Sequence, residues 1–145
     1  MLIEIRPSLD PELAVLVTAE QWERTGSGMP ARGRTFQPDD DVEYLVGVVN
    51  GRAVACGGWQ ALAPGTAGMR RLYVRPAFRG RGLARQMIVA IEEEALAAGR
   101  PVIRLELESR LSAAIALYRS SGYLPVRPDR PGLVTFEKRL PVLVQ

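Results

Sequence analysis

Hydrophobic and polar residues alternate along several short stretches of the chain, as they do in half-buried β-strands. Leu2–Arg6 follows this pattern, and so do Val42–Val49 and Arg52–Gln60, which flank an Asn-Gly dipeptide. Asn-Gly between two such stretches is the strongest short-range signal for a β-hairpin. Between the first strand and this hairpin, apolar residues at helical spacing predict a helix that ends near Arg24.

The second half of the chain alternates predicted strands with predicted helices. Met69–Val74, Val102–Glu106 and Gly132–Leu140 are the strands, and Leu83–Ala98 and Ser112–Ser121 are the helices. The order is therefore strand, helix, hairpin, strand, helix, strand, helix, strand. This order and the length of 145 residues predict an α/β fold in a single domain, residues 1–145.

Composition excludes several classes of protein. The chain has no histidine, which excludes Ser-His-Asp and Cys-His catalysis and any histidine-ligated metal, and we expect no metal site. Cys56 is the only cysteine, so no internal disulfide forms and a cytoplasmic location is expected. Its place inside a predicted strand favours a core thiol over a nucleophile. No apolar stretch is long enough to cross a membrane, and no membrane partner is expected.

The formal net charge is +3, and Lys138 is the only lysine among 19 basic residues. The positive net charge, carried almost entirely by arginine, reflects either the composition of the source genome or attraction of an anionic ligand. The basic residues are spread along the chain between acidic ones, whereas nucleic-acid binding favours a dense basic face with aromatic residues. We therefore expect no nucleic-acid partner.

A glycine-rich stretch, Arg79–Ala84, lies between a predicted strand and the start of a predicted helix. Gly80 and Gly82 allow backbone conformations closed to other residues and let a ligand approach the main chain. The helix that follows contributes free N–H groups and the positive end of its dipole. Together these features predict an anion site for a phosphate or pyrophosphate, with Arg79 and Arg81 at its rim.

Two known phosphate-binding motifs do not fit this stretch. A P-loop requires Lys followed by Ser or Thr, but Leu83 and Ala84 occupy the helix start. The dinucleotide fingerprint requires a third glycine where Arg85 stands.

The pattern Arg/Gln-x-x-Gly-x-Gly/Ala does fit, through Arg79, Gly82 and Ala84. Placed after the strand that ends at Arg71–Pro76, it resembles the acetyl-CoA loop of the GNAT superfamily of N-acetyltransferases. Ala114–Tyr123 is similar to the family's later helix, which carries Leu-Tyr and ends in Gly-Phe or Gly-Tyr. The resemblance is specific over residues 69–123.

The resemblance implies an α/β fold with a mixed, largely antiparallel central sheet and flanking helices. The sheet would splay between Met69–Val74 and Val102–Glu106, with acetyl-CoA as co-substrate in the gap. The pyrophosphate would lie on the backbone N–H groups of Arg81–Arg85, and the pantetheine arm would pair with Leu72–Val74. The implied cofactor-binding residues are Leu72, Tyr73, Val74, Arg79, Gly80, Arg81, Gly82, Leu83, Ala84 and Arg85.

The implied reaction is direct transfer of the acetyl group to an amine, without a covalent enzyme intermediate. Tyr118 matches the family tyrosine that protonates the departing thiolate, although a tyrosine on this helix can also be a core residue. Glu106 matches a frequent acidic position on the following strand and either acts as a base through water or has a structural role. Glu20 and Glu23 are weaker candidates for the base.

The sequence departs from the family pattern at two places. Many relatives carry a Glu a few residues before the loop, where this chain has Ala67 and Gly68. Relatives commonly carry Asn or Gln where this chain has Leu111. These departures leave open an alternative function, a catalytically weak CoA-binding sensor or scaffold on the same fold.

The expected acceptor is a small-molecule or peptide amine. The resemblance places the irregular stretch Thr25–Pro38 beside the acceptor site, although it could equally be a surface connection. Asp39–Asp41 either attracts an amine or forms a solvated loop end. The apolar stretch Pro141–Val144 could either extend an edge of the sheet or join a homodimer, and Glu92–Glu94 is expected on the solvated face of its helix.

Overall fold

One mixed β-sheet with helices on both of its faces makes up the described part of the chain. The computed structural model describes residues 1–25, 37–127 and 130–141. The strands are β1 (Leu2–Arg6), β2 (Val42–Val49), β3 (Arg52–Ala61), β4 (Thr66–Val74), β5 (Val102–Glu108), β6 (Leu124–Val126) and β7 (Leu133–Arg139). The helices are α1 (Pro11–Thr25), α2 (Leu83–Ala97) and α3 (Ser112–Ser120), and a 3-10 turn spans Pro76–Phe78.

The seven strands lie in the order β1-β2-β3-β4-β5-β7-β6. Every neighbouring pair is antiparallel except β4 and β5, which run parallel. These two strands pair only through Thr66–Gly68 and Val102–Arg104, although both continue well beyond. The largely antiparallel sheet with one splayed strand pair confirms the predicted fold class.

Two apolar clusters cover the opposite faces of the sheet. On β2, Leu45 belongs to one cluster while Tyr44 and Val46 belong to the other, as expected where successive side chains point to opposite faces. The predicted apolar stripe of α2 packs in the first cluster, with Met87 and Ile91 fully buried. Helix α1 covers the second face with Leu13, Leu16 and Val17.

The structure differs from the prediction at two strands. β4 begins at Thr66 rather than Met69, and its three additional residues are the ones that pair with β5. The short edge strand Leu124–Val126 was not predicted, because a three-residue stretch with a central proline has no detectable alternation. It pairs with β7 alone.

The expectation that Glu92 is solvated is wrong. Its side chain is buried, and its carboxylate accepts hydrogen bonds from the Tyr123 hydroxyl at 2.8 Å and the Lys138 ammonium at 3.2 Å. Lys138 also donates to the carbonyl oxygen of Ser121 at 2.9 Å. These polar partners come from later elements, so the helical pattern around Glu92 carried no signal of them.

Two sequence expectations fall largely on parts of the chain that the structure does not describe. Residues 26–36, most of the stretch expected beside the acceptor, and residues 142–145, most of the apolar stretch expected to support a dimer, lie outside the described residues. Within the described ranges, no helix has both the length and the apolarity needed to cross a membrane.

Candidate active site

The divergence of β4 from β5 opens a cavity of about 940 Å³ at the centre of the sheet. Its wall comes mainly from α1, β4, β5 and α3, with one residue each from β3, α2 and β7. The wall includes the predicted residues Leu72, Tyr73, Val74, Arg79, Ala84, Glu106 and Tyr118. The cavity therefore brings both proposed catalytic side chains beside the strand expected to bind pantetheine.

β4 carries a bulge in the wall of this cavity. Its register against β3 shifts between Cys56 and Gly58, and Arg71 has a φ of +58°. Positive φ is uncommon for a residue with a side chain, and it disfavours continued regular pairing. The Arg71 guanidinium forms ion pairs with Asp39 at 3.2 Å and Glu20 at 3.5 Å, which fix this strained residue.

The glycine loop borders a second, smaller cavity of about 190 Å³. Gly80 and Gly82 have φ of +78° and +77°, and a Cβ at either position would meet no atom within 4 Å. Gly82 is the N-cap of α2, and no side chain caps the helix there. Among the described residues, no side chain accepts a hydrogen bond from the first-turn N–H groups, an arrangement that suits an anion such as a pyrophosphate.

Two arginines of the loop are held by protein partners. Arg79 donates to the carbonyl oxygen of Val74 at 2.8 Å and forms an ion pair with Glu23 at 2.6 Å. Arg85 donates to the Ser120 hydroxyl at 2.9 Å, which links α2 to the end of α3. Both residues line the smaller cavity, so they position the loop while contributing positive charge beside it.

The third arginine of the loop differs in position from the other two. The Arg81 guanidinium lies over the Phe78 ring, 5.1 Å from its centroid, and the walls of the two cavities do not include it. The remaining predicted loop residues, Gly80, Gly82, Leu83 and Ala84, all line the smaller cavity.

Tyr118 lies between the large cavity and the core. Its side chain is only 5% exposed, and its hydroxyl donates to Met69 Sδ at 3.5 Å, a weak acceptor. Its ring packs edge-on against the ring of Tyr123, with the two ring centroids 5.3 Å apart. Burial raises the pKa of the Tyr118 hydroxyl, so it keeps its proton throughout the neutral range. The arrangement supplies a neutral proton donor.

The acidic candidates differ in their surroundings. Glu106 is exposed and forms an ion pair with Arg130 at 3.3 Å. Glu20 is buried, and its Oε2 atom has no hydrogen-bond partner among the described residues. Burial raises the pKa of the Glu20 carboxyl, and the nearby guanidiniums of Arg24 and Arg71 oppose this shift. Both carboxylates line the large cavity.

Cys56 is fully buried, and its thiol donates to the carbonyl oxygen of Arg71 at 3.4 Å. Burial raises the pKa of this thiol far above its usual range, which disfavours the nucleophilic thiolate. The interpretation of Cys56 as a core thiol is therefore confirmed. Across the described ranges, no group of three or more His, Cys, Asp or Glu side chains is placed to hold a metal ion.

Sequence reasoning missed three cavity residues on β4: Met69, Arg70 and Arg71. Met69 provides the hydroxyl of Tyr118 with its acceptor, and a methionine in an apolar strand gives no sign of that contact. Two consecutive arginines inside an apolar strand were the available signal for the other two. A regular strand would place one of them in the core, so the pair indicates a bulge.

A glycine loop at the N-terminus of α2, next to a splayed strand pair, defines an α/β protein with an anion-binding geometry beside the opening in its sheet. The family comparison agrees. Residues 12–123 match the model of the family described as "Acetyltransferase (GNAT) family". The chain belongs to this family, and the resemblance carried by the two sequence motifs is confirmed.

Two curated relatives are similar in sequence. An IAA acetyltransferase of Azospirillum brasilense is 36% identical over 95 residues, a match that covers 63% of this chain and 60% of the relative. This chain thus aligns with less than two thirds of that protein. The acetyltransferase ECA0875 of Pectobacterium atrosepticum is 31% identical, with 95% of this chain and 96% of the relative covered.

Solved structures of similar fold span nearly the whole chain. A Klebsiella pneumoniae protein assigned as an acyl-CoA N-acyltransferase superimposes with a TM-score of 0.77 at 30% identity, covering 96% of this chain and 97% of that one. The PaiA N-acetyltransferase of Thermoplasma acidophilum, solved in complex with coenzyme A, superimposes with a TM-score of 0.73. At 17% identity, with 96% of this chain and 99% of that one covered, this second likeness concerns the fold alone.

Proposed function

We propose that the protein transfers the acetyl group of acetyl-CoA directly to the amine of a small molecule or peptide. One observation carries this proposal: the uncapped N-terminus of α2, with open space above Gly80 and Gly82, adjoins the gap between β4 and β5. An anion site and a strand-lined cavity in this arrangement suit a ligand with a pyrophosphate at one end and an amide-containing arm at the other.

The binding roles follow from the two cavities. The N–H groups of Arg81–Arg85 would bind the pyrophosphate, with Arg79 and Gly80 beside it. Beyond Gly68, β4 has no pairing with β5, so the pantetheine amides would pair with the edge of Leu72–Val74 that faces the gap, beside the Arg79 guanidinium that already donates to the Val74 carbonyl oxygen. A main-chain N–H near Leu72 would then stabilise the negative charge that develops on the acetyl oxygen when the amine attacks.

Two side chains carry the proton transfers in this proposal. Tyr118 donates its hydroxyl proton to the departing thiolate, since its only hydrogen-bond partner among the described residues is the weak acceptor Met69 Sδ. Glu106 accepts the amine proton through water from its exposed position on β5. Its ion pair with Arg130 holds the carboxylate at the wall of the cavity.

The remaining parts of the proposal concern the protein as a whole. We place the activity in one domain spanning residues 1–145, because strands from both halves of the chain join one sheet. The free, buried thiol of Cys56 supports a cytoplasmic location. The acetyl donor is a co-substrate, and the transfer requires no metal.

Titration calorimetry with acetyl-CoA tests the cofactor site, with ATP and NAD as competing anions. We expect selective binding of acetyl-CoA, lost in Gly82→Glu, because the added carboxylate enters the open space above the loop. Gly51→Glu is the matched control, since Gly51, in a distant hairpin, has a φ of +78° against +77° at Gly82 and equally open surroundings. Both variants should lose about 1–2 kcal/mol of stability from the positive φ.

The outcomes separate the proposed function from its alternative. Equal binding of all three anions, or unchanged binding by Gly82→Glu, contradicts the placement of acetyl-CoA at this loop. Selective binding without acetyl transfer to any member of an amine panel favours the CoA-binding sensor or scaffold. Acetyl transfer to an amine, measured by the release of the CoA thiol, supports the proposed acetyltransferase activity.

A further inference from the structure

The wall of the large cavity carries more positive than negative side chains. Six described arginines line it, together with four glutamates. Five of the arginines form ion pairs with carboxylates: Arg24 with Glu20, Arg71 with Asp39, Arg79 with Glu23, Arg104 with Glu137 and Arg130 with Glu106. Arg70 is the sixth, and among the described residues it has no carboxylate at ion-pair distance.

The only hydrogen-bond partner of Arg70 within the described ranges is the side chain of Gln60, whose Oε1 accepts from Nη1 at 2.7 Å, while its charge acts on the Glu20 carboxylate from beyond ion-pair distance. Gln60 in turn donates to Asp41. A neutral amide therefore stands where the other five arginines have an anion. Arg70 is partly buried, so its charge has lost part of its hydration without gaining an ion pair.

The position of Arg70 separates it from the site for the CoA phosphates. The smaller cavity beneath the glycine loop does not include Arg70 in its wall. Arg70 lies instead one residue before the bulge at Arg71, on the cavity that also contains Glu106 and Tyr118. Its charge thus faces the space left for the acceptor.

We propose that the acceptor molecule carries a carboxylate as well as its amine, and that Arg70 binds this carboxylate. This proposal rests on the proposed function. A guanidinium has five N–H donors in a planar fork, and Gln60 accepts from only one of them. The remaining donors match the two oxygens of a carboxylate. One unpaired guanidinium balances one negative charge, so the expected substrates are amino acids or peptides with a free carboxylate near the amine.

Paired acceptors test this assignment with the full chain and acetyl-CoA. Each standard α-amino acid and β-alanine is compared with its carboxamide, and O-phosphoethanolamine serves as a phosphate-bearing amine. We expect kcat/KM to be at least about tenfold higher for the carboxylates, the effect of one charge-assisted pair. A preference for the phosphate-bearing amine, or equal rates for carboxylates and carboxamides, overturns the assignment.

The variant Arg70→Gln should raise KM for carboxylate acceptors by about tenfold and leave kcat and the KM for acetyl-CoA unchanged. Arg70→Lys keeps the charge without the fork and should retain part of the preference. Arg139→Gln, which removes the same charge from an exposed position on β7, is the control. A carboxylate preference that persists in Arg70→Gln refutes the role of Arg70.

A binding measurement keeps this test separate from failure of the proposed catalysis. N-acetyl amino acids and their carboxamides are titrated into the protein saturated with CoA. Preference for the carboxylate that is lost in Arg70→Gln supports the assignment even if no amine is acetylated. Equal binding of the two forms contradicts it, whatever the turnover.

Discussion

Replacement of Tyr118 by phenylalanine removes the proposed proton donor and little else. Within the described part of the chain the hydroxyl's only partner is Met69 Sδ at 3.5 Å, so we expect the free energy of unfolding to change by less than about 1 kcal/mol. Loss of a general acid typically lowers the rate by about 10²–10⁴-fold, which corresponds to roughly 3–5 kcal/mol in the barrier. Steady-state kinetics should show this fall in kcat with an unchanged affinity for acetyl-CoA.

Tyr123→Phe is the matched control because the two rings pack against each other at 5.3 Å. The Tyr123 hydroxyl donates to the buried carboxylate of Glu92 at 2.8 Å, and loss of such a bond costs about 1.5–3 kcal/mol. We therefore expect urea unfolding to report a loss of stability in Tyr123→Phe, with normal kcat in the folded protein. Tyr118→Phe should therefore lower turnover and not stability, whereas Tyr123→Phe should lower stability and not turnover.

The pH profile provides a second readout for Tyr118. Burial raises the pKa of its hydroxyl, so the protonated donor persists beyond pH of about 10, where an ordinary tyrosine begins to ionise. We expect no alkaline loss of kcat from this group below that pH. Unchanged kcat in Tyr118→Phe would remove the residue from the mechanism, even if acetyl-CoA binding and acetyl transfer were both established.

Two further predictions concern buried groups away from the proton transfer. Lys138→Met leaves the buried Glu92 carboxylate without its ammonium partner. Urea titrations should show that the free energy of unfolding falls by about 1–3 kcal/mol, with acetyl-CoA affinity unchanged. Undiminished stability contradicts this prediction. Cys56 should resist alkylation by iodoacetamide until the protein unfolds, because its thiol is buried and the pKa of the thiol is raised. Rapid alkylation of the folded protein, detected by mass spectrometry, would refute this prediction.

The order of elements and the loop at Arg79–Ala84 could be predicted because their signals are local. Alternation marked the strands, an Asn-Gly pair marked the hairpin, and glycines before an apolar-periodic stretch marked the turn that starts α2. The structure places Gly80 and Gly82 at positive φ at the N-terminus of α2, as the loop required. Local chemistry was sufficient there because the strand, turn and helix are consecutive in sequence.

The wall of the large cavity could not be predicted in the same way, because it depends on contacts between distant residues. The bulge at Arg71 is set by register against β3 and by ion pairs with Asp39 and Glu20. Burial of Glu92 likewise depends on Lys138, 46 positions further along the chain. Helical periodicity assigns a face to each residue, but it does not show which partner later covers that face.

The Lys138 contacts also bear on self-modification. A protein that binds acetyl-CoA holds a reactive thioester close to its own amines, and the ε-amino group of lysine is the side chain most exposed to this hazard. This sequence contains a single lysine, whose ammonium is bound by Glu92 and by the carbonyl oxygen of Ser121. Its surface cations are otherwise arginines, whose guanidinium groups stay charged and are poor nucleophiles. The surface thus stays positively charged for anionic ligands while offering the acetyl donor almost no competing side-chain amine.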